Sequence, residues 1–119
     1  MLFMVKFHVK QPDKMTQAEL YDLWIKEGEA ALIAKKGGVI KELYKVSGLK
    51  QVVAILDVPS HHDLDMTLAS LPFNKESGLL DVEITPIHPY EEYYHDMKKA
   101  VMQIHAYSSD ILGKGVIAE

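Results

Sequence analysis

Residues 39–58 read VIKELYKVSGLKQVVAILDV, and they decide the fold. Val39 to Val46 and Gln51 to Val58 are runs rich in β-branched and aliphatic residues, the composition strands prefer. Ser47-Gly48 supplies a turn, and the short Ser47–Lys50 connection predicts an antiparallel hairpin. A hairpin in the middle of a chain needs partners on both sides, and the flanking sequence provides them.

Upstream, Leu2 to Lys10 alternates. Phe3, Val5, Phe7 and Val9 face one way, and Met4, Lys6, His8 and Lys10 the other, which predicts a strand with one packed face and one polar face. Gln11 to Met15 is a loop containing Pro12. A helix then runs from Thr16 to Lys36. Thr16 and Glu19 form a capping box, and Gly37-Gly38 close the helix. Downstream of Pro59, Ser60 and Asp63 repeat the capping signature and open a helix to about Leu71, with Leu64, Thr67, Leu68 and Leu71 inward. Pro72 to Gly78 reads as a loop and Leu79 to Thr85 as the fourth strand. Pro86 cannot donate to a ladder, so any continuation to Ile87 belongs at an edge or a bulge. The order is β-α-β-β-α-β, an α+β ferredoxin-like antiparallel sheet with both helices on one face. The other face carries enough apolar side chains to predict covering by another subunit.

Glu27 sits where a carboxylate is costly. Leu20, Leu23, Trp24, Ala31 and Ala34 make one apolar face of the first helix, and Glu27 projects from its centre. A charge there must be paired, hydrogen-bonded or protonated. A partly desolvated Glu has a raised pKa and exchanges protons near neutrality; the competing reading is a snorkelling or lysine-paired structural Glu. Strand alternation sets Lys6 and His8 away from the packed face, and Lys41 and Lys45 share a face of the second strand. In a cleft, such groups would hold a carboxylate-bearing substrate for Glu27 to work on; otherwise they form a solvated sheet edge. His61-His62-Asp63 with Asp65 has a metal-like composition, but neighbours at a helix start do not face one another, so no metal is expected. His88, His95 and His105 read as surface residues.

Composition excludes several classes. The chain has 119 residues, 48% hydrophobic and 25% charged, an ordinary globular composition of one-domain size. A net charge of −4 disfavours nucleic acid. Cysteine is absent, which removes disulfides and thiolate chemistry. No apolar run approaches the roughly 20 residues of a membrane span, and Met1 to Lys10 lacks the pattern of a signal peptide, so a cytoplasmic protein is expected. Tyr90 to Leu112 predicts a further helix with a 4-3-4-3 seam of Tyr90, Tyr94, Met97, Val101, Ile104, Ser108 and Ile111, the spacing of helix pairing. The first helix has a second apolar flank in Tyr21, Ile25 and Leu32. Both features point to a homo-oligomer. The expected organisation is a domain over 1–89 and an extension over 90–119 that packs on a neighbouring subunit, with packing back on its own domain as the alternative, and Gly113 to Glu119 as a frayed end.

Met1-Leu2-Phe3, Val5-Lys6, Val9-Lys10, Asp57-Val58-Pro59-Ser60, Thr67-Leu68, Leu71-Pro72 and His88-Pro89 resemble the muconolactone delta-isomerases over residues 1–89. The resemblance implies a ferredoxin-like fold of the dimeric α+β barrel type, assembling into dimers or larger rings. It implies a cofactor-free isomerase of aromatic catabolism that moves a ring double bond of a small unsaturated lactone. Glu27 matches a family glutamate and is the expected proton shuttle. Lys6, His8, Lys41 and Tyr44 are the expected substrate-binding residues. The chain departs from the family at Met4 (a His there), Ile40 (a Trp), Lys41 (an Arg), and at Leu49, Lys50 and Val53, where aromatic or polar residues are usual. The helix after Pro89 is additional. Two other readings stand beside the isomerase: a non-catalytic small-molecule-binding oligomeric barrel, and a cofactor-independent oxygenase or cyclase of the same fold.

Overall fold

Residues 1–77 and 79–113 are described by a computed structural model. The expectations for Gly78 and for the tail after Gly113 lie outside the described residues, as do those for the side chains of Ser108 and Ile111. The chain divides into two compact units, Met1–Ile87 and His88–Glu119.

In the first unit, β1 (Leu2–Val9), β2 (Ile40–Lys45), β3 (Gln51–Asp57) and β4 (Leu80–Ile87) form one sheet in the order β2-β3-β1-β4. Every neighbouring pair is antiparallel. Side chains alternate about the pleat, so each strand turns one set inward: Phe3 and Val5 of β1 and Ala54 and Leu56 of β3 are buried, and Val82 of β4 packs against them. β4 runs two residues further than Thr85, through Pro86 to Ile87. It lies at the sheet edge, where a residue without an N–H is tolerated.

The helices begin where their caps dictate. The Thr16 hydroxyl accepts from the Glu19 N–H, and the Glu19 carboxylate accepts from the Thr16 N–H, opening α1 (Gln17–Lys36). The Ser60 hydroxyl accepts from the Asp63 N–H at the start of α2 (His61–Ala69). The expected loop after Leu71 is instead a short helix, α3 (Pro72–Ser77). Pro72 is its first residue, where a missing N–H costs nothing and φ is already set. Phe73 of α3 is completely buried and joins Leu20, Leu23, Val9 and Leu79 in a second core cluster beside the first. Each such side chain contributes about 1.5–3 kcal/mol on leaving water.

The second unit is α4 (Tyr90–Gly113). Glu91 and Glu92 occupy its first turn, where the helix dipole favours negative charge. Tyr90, Tyr94, Met97, Val101 and Ile104 are all exposed, so the described part of the seam read from spacing is open. No helix among the described residues is long and apolar enough to cross a membrane.

Candidate functional site

A cavity of about 490 Å³ lies within the first unit, lined by residues of α1, α3 and all four strands. That size suits a small organic ligand. Trp24, Glu27, Gly28 and Ala31 line it from α1; they sit at the three- and four-residue spacing of one helical face. Phe73 closes it from α3, its ring edge-on to Trp24 with centroids 5.4 Å apart. Phe7, Val9 and Val52 contribute from β1 and β3.

Glu27 is the one carboxylate among the described lining residues. It is half-buried. Its Oε2 accepts a hydrogen bond from the Phe73 backbone N–H at 3.3 Å. Two effects oppose each other: burial disfavours the charged form and raises the pKa, while the Phe73 bond favours the charged form and lowers it. Burial is the larger, and Glu27 is held above the ordinary carboxylate value. Burial and the Phe73 N–H are the two influences that set its charge. The site therefore combines apolar walls, one oriented carboxylate and a raised proton affinity, which is the equipment of an acid–base catalyst.

The other residues singled out from sequence are dispersed. Lys6 and His8 alternate with Phe7, which lines the cavity, so they occupy the opposite sheet face. There His8 Nε2 lies 2.6 Å from Glu83 Oε2. That contact, with Lys6 nearby, holds the exposed Glu83 below the usual carboxylate range. Tyr44 borders the cavity, but it pairs with Val53, the residue across from Lys6. Its hydroxyl donates to Glu42 Oε2 at 2.9 Å, and that carboxylate raises the phenol's pKa. Lys41 is exposed and sits where the β2–β3 register shifts between Ile40 and Glu42. This shift breaks the shared face expected for Lys41 and Lys45. Lys45, opposite Val52, lines the cavity, and its ammonium donates to the carbonyls of Val46 and Leu49. His61 packs edge-on against Phe3 at 5.7 Å.

Three participants escaped the reading of the sequence. Phe73 lay in the presumed loop, although Leu71-Pro72 carries the proline-first signature of a helix start. Helical spacing places Trp24 on the apolar face of α1 without marking it as a cavity wall. Gly28 left no signal except its oddity in a helix interior.

The model of the family described as muconolactone delta-isomerase matches residues 1–93. A muconolactone delta-isomerase of Cupriavidus pinatubonensis (strain JMP 134 / LMG 1197) is 31% identical over 91 residues, 75% of this chain and 96% of that protein. A crystal structure of muconolactone isomerase superposes with a TM-score of 0.64 at 33% identity, covering 75% of this chain and 92% of that one. The 5-chloro-2-hydroxyhydroquinone dehydrochlorinase of Burkholderia phenoliruptrix AC1100, in complex with 2,5-dihydroxybenzoquinone, shares the fold, with a TM-score of 0.58 at 16% identity, covering 74% and 94%. With its sheet order, its cavity and a match over residues 1–93, the chain belongs to the muconolactone delta-isomerase family.

Proposed function

We propose that the chain isomerises an unsaturated lactone by a cofactor-free proton shift, with Glu27 as the shuttle. The observation that carries this reading is a half-buried, hydrogen-bonded carboxylate of raised pKa on the wall of a largely apolar cavity. The ionised Glu27 removes a proton made acidic by the substrate's unsaturated carbonyl. The C–H electron pair moves into the conjugated system as a dienolate. Glu27, now protonated, returns the same proton two carbons away, so the double bond moves and no atom is gained or lost. The Phe73 N–H holds one carboxyl oxygen in place, and the aliphatic walls suit a small ring.

Lys6, His8, Lys41 and Tyr44 complete the proposal as groups for the substrate's carboxylate or its developing enolate charge. Within one chain Lys6, His8 and the Tyr44 hydroxyl lie on the sheet face away from Glu27, so their use there requires a second copy to supply its own such residues to the Glu27 cavity. The setting we infer is cytoplasmic aromatic catabolism. Absorbance assays with muconolactone, then other butenolides, test the reading. Wild-type turnover that disappears in Glu27→Gln supports it. Ligand binding without turnover in wild-type protein would replace it with a non-catalytic binder.

Association into a homo-oligomer is part of the same reading. Tyr21, Ile25 and Leu32 are exposed on α1, and the α4 seam is open. Such aligned apolar surface marks an interaction site. Light scattering of the full chain should give a multimer, and Met97→Lys with Val101→Lys should lower its mass if α4 pairs. An unchanged mass would remove α4 from the interface.

A further inference from the structure

Gly28 is a poor choice for its position. It lies inside the 20-residue α1, and glycine is the weakest helix former after proline. Two ordinary reasons for a helical glycine are absent. Its backbone is not in the left-handed region; among the described residues only Gly38 and Gly48 have positive φ. Nor does another segment press against it, since a Cβ added there would meet nothing within 4 Å. What remains is the space itself. Gly28 lines the cavity one residue after Glu27, and Trp24 and Ala31 flank it on the same helical face.

We propose that Gly28 sets the size of ligand the cavity admits: the room its absent side chain leaves beside Glu27 is filled by the apolar body of the bound molecule. The preferred ligand is a compact, largely apolar ring system, and position 28 discriminates by bulk. This rests on the cavity used in the proposed isomerisation, though not on its chemistry. A methyl group placed in a fitted apolar pocket shifts discrimination by about tenfold. The same methyl improves helix propensity, so binding and stability move in opposite directions.

Calorimetric titration of the full chain with phenol and with 2-naphthol tests the proposal without turnover. Wild-type protein should bind both. Gly28→Ala should weaken 2-naphthol about tenfold and phenol less, and Gly28→Leu should abolish 2-naphthol binding. Gly28→Ala should melt no lower than wild type, which makes weaker binding a matter of space; it also keeps the test intact if the leucine variant does not fold. Unchanged 2-naphthol affinity in Gly28→Ala, or no binding by wild type, overturns the proposal. Glu27→Gln separates the two readings. If it binds 2-naphthol normally and neither it nor wild type turns over muconolactone, the isomerase reading fails while the role of Gly28 stands.

Discussion

Two glutamates, Glu27 and Glu83, stand on opposite faces of the same sheet and are pushed in opposite directions. Glu83 is exposed, touches His8 at 2.6 Å, and is held below the ordinary carboxylate value. Glu27 faces apolar walls, has a backbone N–H as its partner, and is held above that value. On the wet face, a partner keeps the carboxylate ionised and makes it a surface feature. On the covered face, the loss of water raises the carboxylate's affinity for a proton. Environment, not residue type, separates the candidate catalyst from the ornament.

The sharpest way to break this contrast is to neutralise both residues. Glu27→Gln should lower turnover by about 10²–10⁴-fold, whereas Glu83→Gln, which reaches the reaction only through its contact with His8, should cost far less; equal losses in a steady-state assay would erase the distinction. Next in size, Phe73→Ala should cost about 3–5 kcal/mol in urea unfolding, because the ring is fully buried. A further test is pH. Proton removal needs ionised Glu27, so kcat/KM should climb with pH through a midpoint above the ordinary glutamate value of about 4.3.

The smallest effect is on stability. The folded state holds Glu27 above its unfolded value, so the contribution of this group is full below the unfolded pKa and is lost as pH rises through the folded one. Glu83 behaves in reverse: its contribution is present above the unfolded pKa and is lost as pH falls through the folded one. Glu27→Gln should therefore melt higher than wild type at neutral pH, with the gain fading on acidification. Glu83→Gln should show no such gain.

Much of this was legible before any coordinates. Thr16 with Glu19 and Ser60 with Asp63 announced two helix starts, because a side-chain oxygen satisfies an N–H that the helix leaves orphaned. Alternation in β1 separated Phe3 and Val5 from Lys6 and His8. Glu27 stood out through helical spacing alone. What spacing could not convey was long-range. The Phe73 N–H reaches Glu27 from 46 residues away, through a helix too short to show periodicity. The register shift at Ile40 and Glu42 is a property of two strands together, so Lys41 and Lys45 looked alike on paper and are not. Pro86 pointed to an edge for any continuation of the last strand, and β4 is an edge.

That register shift has a consequence for how the strand tolerates change in length. Ile40 pairs with Leu56 and Glu42 with Ile55, so β2 spends two residues where β3 spends one, and Lys41 is the spare. Losing one residue at that point would regularise the ladder while Leu43 and Lys45 kept facing inward. Losing one between Leu43 and Lys45 would turn the strand over beyond the gap, setting an outward side chain where an inward one belongs. The bulge is thus the place in β2 where descent could shorten the chain by one residue and leave the walls of the cavity intact.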